Sequence, residues 1–341
     1  MNAYHIALGT SILVSILSSF FANWFLIKRA ATLQLIDRPN YRSSHSIPTA
    51  RAGGLGILSS FSVGIAVFFL LAQTNMLISI VVFLAWILAA VGLYDDIVSA
   101  TPRFRFSIQL IVMGLLLCSI HYLSPAVWHN NPVIKYIFIF FVFFAGLWLM
   151  NLYNFMDGIN GIAASEAIFV LLAATGILLY NKIDSVITPS MLILTGACIG
   201  FFVWNFPRAK IFMGDSGSVP LGFILIFYAA YTAVNQQLPP VLWLILLSVF
   251  WVDATFTLLT RVFTKQKWHS PHRSHFYQIL SRRLNSHIKV VALMWVYNLF
   301  WLLPLGVLAV KLPSVRILCL ILAVIPILIA DVYFRAGRLN D

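Results

Sequence analysis

The stretch MLISIVVFLAWILAAVGLYDD, residues 76–96, decides the fold. Residues 76–94 carry no formal charge, and the run closes on Asp95 and Asp96. A helix crossing the hydrocarbon core of a bilayer needs about 20 predominantly apolar residues. Similar runs lie near 4–27, 53–73, 104–124, 134–153, 160–180, 188–206, 217–235, 240–262, 290–310 and 314–333. The longest polar connections, 29–52 and 264–289, leave no room for a separate soluble domain. The reading is an all-α polytopic integral membrane protein with about 11 transmembrane helices, residues 1–341 forming a single polytopic domain. Composition agrees. The chain is 61% hydrophobic and 9% charged, where a soluble domain has about 45–50% and about 25%. So few charges exclude a soluble enzyme, a disordered chain and a nucleic-acid-binding domain, despite a net charge of +12. Cys118, Cys198 and Cys319 lie in apolar runs without metal-ligand spacing and read as packing residues.

Charge sets the expected orientation. Residues 1–10 contain no Lys or Arg, whereas Lys28 and Arg29 follow the first span. That order argues against a cleaved signal and puts the N-terminus outside. Alternating eleven spans then places 18 of the 22 Lys and Arg residues inside, with Lys135, Lys182, Lys311 and Arg316 outside and the C-terminus cytoplasmic. Eight of the ten acidic residues gather on or near the inner side, Asp184 and Glu166 being the exceptions. His45, His269, His272, His275 and His287 are there too. Carboxylates contribute little to topology, so this clustering has another cause.

Asp95 and Asp96 sit where a helix carries partial negative charge, and they repel each other. A divalent cation, a proton-transfer role or pairing with Arg103 and Arg105 would each relieve that cost. Span five ends in Asn151, Asn154, Asp157 and Asn160, with Gly158 and Gly161 among them. Spacing of three predicts one polar helix face, serving a ligand or a neighbouring helix. Span eight is entered through Phe212, Met213, Gly214, Asp215, Ser216, Gly217 and Ser218. A glycine-framed helix N-terminus favours phosphate or carboxylate. The Lys-Ser/Thr ending of a P-loop is missing, and an N-cap by Asp215 or Ser216 is the structural alternative.

After span nine, His272, Arg273 and His275 suit oxygen anions better than a metal, since two His without Cys make an incomplete zinc set. A basic loop touching anionic lipid is the other reading. In the first inner loop Arg42, Ser43, Ser44, His45, Ser46, Thr49 and Arg51, with Gly53 and Gly54, suit an anionic ligand. Asp253, an acid inside span nine, reads as functional or paired; Glu166 carries no assignment. Carboxylates, cations and a helix N-terminus on one face fit Mg²⁺ held together with substrate phosphates. Phosphoryl transfer then needs mainly positioning and charge neutralisation.

On these motifs the chain resembles the polyprenyl-phosphate N-acetylhexosamine-1-phosphate transferases of glycosyltransferase family 4. That family includes the muramoyl-pentapeptide translocase and the initiating transferases of O-antigen and teichoic acid synthesis. The motifs fall in the family's order between about Asp37 and Arg283, and HRSHFYQ, residues 272–278, is most similar to the branch of lipopolysaccharide assembly that handles UDP-N-acetylfucosamine or UDP-N-acetylglucosamine. The resemblance implies transfer of the sugar 1-phosphate from a UDP-sugar to undecaprenyl phosphate with release of UMP. It implies a bacterial inner-membrane enzyme with a cytoplasmic active site in the lipid bilayer, no nucleic-acid partner, and Mg²⁺ or Mn²⁺ as cofactor; a homodimer is left open. Asp215 and Asp96 would hold the metal, and Asp95 would be the base for the lipid phosphate. Asn154, Asp157 and Asn160 would lie at the nucleotide end, with Phe212 on uracil. His272, Arg273 and His275 would contact the diphosphate, with Thr49, Arg103 and Arg105 as further phosphate ligands.

The family usually has Asp where this chain has Asn160, and it often has a run of adjacent histidines that is missing here. An amide can still donate to and accept from uracil, but it supplies no charge for metal or base work. Two other classes compete. A Mg²⁺-dependent intramembrane prenyl-group enzyme would show Asp-x-x-x-Asp repeats in two similar halves. A transporter of an anionic solute would show internal repeats and paired broken helices near the midplane. The sequence displays neither pattern.

Overall fold

The computed structural model describes residues 3–39, 47–72, 75–123, 132–267 and 272–338. Arg42, Ser43, Ser44, His45, Ser46, His269 and Asp341 of the sequence reading lie outside the described residues. The chain is almost wholly helical. In order come α1 (Ala3–Arg29), α2 (Gly53–Ala72), α3 (Met76–Val98), α4 (Pro102–Leu123) and α5 (Pro132–Met156). Then follow α6 (Ile162–Tyr180), α7 (Thr188–Asn205), α8 (Asp215–Val234), α9 (Pro240–Leu246) and α10 (Ser248–Phe263). The chain finishes with α11 (Phe276–Leu284), α12 (His287–Tyr297), α13 (Leu303–Lys311) and α14 (Arg316–Tyr333). A two-stranded antiparallel ribbon, β1 (Ile36–Asp37) with β2 (Thr49–Ala50), lies between α1 and α2.

Among the described residues, ten helical segments are long and apolar enough to span a membrane, and a bent pair makes up to eleven. The bent pair corrects one expectation. The run 240–262 is not one straight helix: α9 and α10 meet at 75°. Leu247 leaves helical geometry at the break. Its neighbours include neither Gly nor Pro, so the apolar pattern runs through the bend unmarked. Span ten is also irregular, with α12 and α13 joined through a π turn, Asn298–Leu302.

Helices α6, α7 and α8 form the centre of the bundle, and the outer helices keep much of their apolar surface exposed. Apolar pattern alone does not distinguish these positions, because lipid tails are as apolar as a protein core. Membrane helices associate through close packing and interhelical hydrogen bonds instead. Ser15 Oγ on α1 donates to the Ile193 carbonyl of α7 at 2.9 Å, and Ser19 Oγ to Ala197 at 2.7 Å. Cys198 and Cys319 are buried, but Cys118 is exposed on α4, so it is not a packing residue. In a membrane helix, an apolar residue faces lipid as readily as protein.

Candidate active site

The site begins with a loop held on both edges. The Phe212 N–H donates to Ala50 O at 2.8 Å, and Gly53 and Gly54 N–H return bonds to Phe212 and Met213 carbonyls at 2.9 Å each. Gly214 then turns with φ +72° as the N-cap of α8. Asp215 is therefore the first residue of the helix, and neither it nor Ser216 supplies the cap. A Cβ on Gly92 of α3 would land on the Asp215 backbone carbonyl, and one on Gly214 would meet the Asp96 carboxylate. Those glycines bring the C-terminal end of α3 against the N-terminal end of α8. The carboxylates at the negative pole of one helix thus meet the positive pole of another. This juxtaposition offsets the dipole cost of Asp95 and Asp96.

Arg105, on the first turns of α4, donates from one nitrogen to both Asp95 Oδ2 and Asp215 Oδ2, the latter at 2.9 Å. Asn154 Nδ2 donates to the other Asp215 oxygen at 2.7 Å and to Ser218 Oγ at 3.0 Å. Asp95 Oδ1 accepts the Ala100 N–H at 2.7 Å, which fixes the carboxylate past the helix end. Arg51 Nη1 stands 4.0 Å from Asp96 Oδ1. Asp96 Oδ2 is buried without a hydrogen-bond partner.

Asp157 completes the group. Burial, together with the carboxylates of Asp215 and Asp96, pushes its carboxyl well above the usual range. It does not continue the polar face of α5. That helix ends at Met156, and 157–161 form the turn into α6. Only Asn151 and Asn154 share the helix, and Asn151 is spent on Gln109 of α4 at 2.8 Å. Asp95, Asp96, Asp157 and Asp215 are thus gathered around two guanidiniums, Arg51 and Arg105. The excess of negative charge calls for a cation or bound protons.

The donor chemistry fits Mg²⁺, which takes one or two protein carboxylates plus substrate oxygens rather than a closed protein cage. Asp96 offers a free oxygen, and Asp215 lies beside it. Among the described residues, no three His, Cys, Asp or Glu side chains form a ready-made metal set. Substrate phosphate would therefore have to supply the remaining ligands.

A second cluster stands on α10 and α11. Asp253 accepts the Phe276 and Tyr277 N–H groups at 3.0 and 3.1 Å, and Thr257 Oγ1 at 3.1 Å. This buried acid ties down the first turn of α11. His275 is the N-cap of α11, buried, in a reciprocal capping box with Gln278. Tyr277 Oη reaches the Phe155 carbonyl at 2.9 Å and joins this cluster to the end of α5. His272 stacks on His275 with centroids 5.0 Å apart. Burial, then His275 and Arg261, push the His272 imidazole down to about 3. A neutral ring whose Nδ1 faces Ser274 at 3.0 Å keeps Nε2–H as a donor. Arg273 lies close enough to Arg282 to help lower the pKa of that guanidinium, after burial.

Other expected site residues sit apart from the carboxylates. Arg103 is exposed at the start of α4 and, unlike Arg105, does not reach them. Thr49 is buried in β2, its hydroxyl donating to Ile47 O at 2.9 Å. Asn160 Nδ2 donates to Pro207 O at 3.2 Å, and its N–H to His287 Nδ1 at 3.3 Å. Phe212 is half-buried beside Ala50 and Gly53. Sequence reasoning named Arg51 as a cation of an anion-binding loop and Ser218 as part of the α8 entrance, but placed neither at the carboxylate cluster. Each lies inside a quoted motif, Arg51 two residues after Thr49 and Ser218 three after Asp215, but nothing local marks either as facing a carboxylate cluster.

Residues 77–233 match the model of the family described as Glycosyl transferase family 4. That stretch contains Asp95, Asp96, Arg105, Asn154, Asp157 and Asp215, and stops before the histidine cluster. Over 98% of this chain and 94% of the relative, the sequence is 24% identical to a probable undecaprenyl-phosphate N-acetylglucosaminyl 1-phosphate transferase of Bacillus subtilis. It is 26% identical to a decaprenyl-phosphate N-acetylglucosaminephosphotransferase of Mycobacterium leprae, over 84% of this chain and 79% of the relative. It is 34% identical to a phospho-N-acetylmuramoyl-pentapeptide-transferase of Streptococcus agalactiae, over 49% of this chain and 50% of the relative.

Proposed function

The chain belongs to glycosyl transferase family 4, and on that premise we propose that this membrane enzyme moves an N-acetylhexosamine 1-phosphate from a UDP-sugar to undecaprenyl phosphate. The names of the long-range relatives favour N-acetylglucosamine over an N-acetylfucosamine type as the sugar. The product would begin a lipid-linked surface glycan such as O-antigen. The observation that carries the reading is the cluster of Asp95, Asp96, Asp157 and Asp215 around Arg51 and Arg105, with one Asp96 oxygen left unbonded.

In the net reaction, a bond forms between the lipid phosphate oxygen and the sugar-bearing phosphorus. The bond from that phosphorus to UMP breaks, and UMP carries the negative charge away. Asp96 and Asp215 would hold Mg²⁺, which supplies charge neutralisation at the phosphates. Arg51 and Arg105 would bind phosphate oxygens, for which a guanidinium fork is suited. Asp95 would accept a proton from the lipid phosphate. Asn154 orients Asp215 through its amide, and Asp157 lies toward the nucleotide. Phe212 would stack on uracil, while His272 Nε2–H and Arg273 donate to the diphosphate. His275 positions that loop as the cap of α11. The distribution of Lys and Arg supports placing this face in the cytoplasm of a bacterial inner membrane.

The test is UMP release by detergent-solubilised protein given undecaprenyl phosphate, Mg²⁺ and one donor at a time. The donors are UDP-N-acetylglucosamine, UDP-N-acetylgalactosamine and UDP-N-acetylfucosamine. Release with UDP-N-acetylglucosamine, lost on chelation or on omitting the lipid, is the expected result. No UMP from any donor by well-folded protein would overturn the reading.

A further inference from the structure

A cavity of about 540 Å³ lies between α6 and the tenth span, far along α6 from the carboxylates. Phe169, Leu172 and Ile177 line it from α6, and Trp295, Leu303 and Val307 from the other side. The Phe169 and Trp295 rings, both lining it, meet edge to face at 6.3 Å. The lining also reaches Tyr180 and Lys311, the last residues of α6 and α13, and Asn181, the C-cap of α6. From Phe169 to Tyr180 a helix rises by roughly 17 Å. That is about half of a 30 Å hydrocarbon core, the depth of one leaflet.

Two observations say more than that lipid covers an apolar face. Gly176 lines the slot, yet an ideal Cβ there meets no heavy atom within 4 Å. Glycine weakens a helix interior, and no close approach among the described residues accounts for it. The second observation is charge. The Lys311 ammonium sits 4.7 Å above the Tyr180 ring and 3.3 Å from its hydroxyl. An ammonium has three donors, so two remain for an anion. The connections at this end also carry Lys182 and Arg316, against the carboxylate of Asp184.

We propose that this slot binds one anionic phospholipid, an acyl chain lying along α6 over Gly176 and the phosphate resting on Lys311. The lipid belongs to the leaflet opposite the carboxylate cluster. It contributes no reacting atom. The slot fills a gap between a central helix and the π-turned tenth span, so occupancy ties the two together.

The full-length protein is reconstituted with phosphatidylglycerol or with phosphatidylcholine of the same acyl chains, and retained lipid is counted by native mass spectrometry. Wild-type protein is expected to retain one phosphatidylglycerol at least tenfold more than phosphatidylcholine. Gly176→Leu, which fills the slot, loses that retained lipid at least tenfold. Lys311→Gln keeps lipid but brings the two headgroups within about twofold, and Lys311→Glu disfavours phosphatidylglycerol. UMP release and monodispersity report folding, because both positions lie away from the carboxylates. Equal retention of the two lipids by wild type overturns the proposal, as does undiminished retention by folded Gly176→Leu. Displacement of phosphatidylglycerol by undecaprenyl phosphate, or a dimer whose second copy protects the slot, also overturns it.

Discussion

Replacing Arg105 by Gln removes the cation that Asp95 and Asp215 share through a single nitrogen. Hydrogen bonds to charged groups contribute about 1.5–3 kcal/mol each. The Arg105 side chain is 34% exposed, so solvent screens both bonds toward the low end. The two lost bonds together contribute about 3 kcal/mol and Gln recovers one neutral bond of about 1 kcal/mol, leaving a net loss of about 2 kcal/mol. For a chain of 341 residues that lowers the melting temperature by about 3 °C. The assay is thermal unfolding in detergent, once with chelator and once with saturating Mg²⁺. A cation bound between the carboxylates replaces part of the missing charge, so Mg²⁺ raises the melting point of Arg105→Gln more than that of the parent. The gap narrows from about 3 °C to about 1 °C. Adding Asp96→Asn removes the Mg²⁺ effect. Equal melting of variant and parent in chelator, or identical Mg²⁺ shifts, would refute the reasoning.

Asp215→Asn abolishes UMP release with little effect on folding; full turnover in a folded variant would remove Asp215 from the metal site. Gly92→Ala drives a Cβ onto the Asp215 backbone, where overpacking costs up to about 3 kcal/mol; thermal unfolding reads that loss directly. Asn160→Asp, with the amide bonded to Pro207 O in the parent, raises KM for the UDP-sugar by loss of that donor, and kcat stays within about threefold, a barrier change under 1 kcal/mol. His272 is neutral in the fold, with a pKa lowered from 6.5 to about 3 by burial. The unfolded chain binds the extra proton between those values, so stability is full above about pH 6.5 and falls as pH drops toward 3. His272→Gln flattens that part of the stability–pH curve.

The membrane fold was legible because a span is a local property: length and apolarity are written in consecutive residues. The break at Leu247 was hidden for the same reason, since Leu247 leaves helical torsion with neither Gly nor Pro beside it. Asp157 and Asn160 were assigned to a helix face from a spacing of three, but Gly158 and Gly161 end the helix within that motif. Arg105 was within reach as a partner because it follows Asp95 by one short turn between helices. Arg51 was not, because its approach to Asp96 depends on the β1–β2 ribbon and the bridge from Ala50 to Ile211. Asp253 shows the same limit. Its sequence position suggests a function in the membrane, and its place in the fold makes it the anchor of α11.

The glycines explain how these local motifs become one site. Asp95 and Asp96 would be poorly placed on α3 alone, since carboxylates at a helix C-terminus oppose the helix dipole. Gly92 lets the α8 backbone approach until its N-terminal pole faces them, and Gly54 admits Gly217 on the other side. Gly214 leaves room for the Asp96 carboxylate at the entrance of α8. Gly92 and Gly214 sit where a side chain would separate a carboxylate from its electrostatic partner. Steric and electrostatic roles therefore coincide at these positions. A larger residue would cost packing energy and would also leave the carboxylates at an unopposed negative pole. The order α3, α8, α5 around the cluster follows from the same contacts. Gly222 of α8 lies against the backbone of Leu149 and Met150, one to two turns before Asn154 on α5. Asn154 can then reach Asp215 and Ser218 together, so the spacing of glycines along α8 sets which end of α5 enters the site.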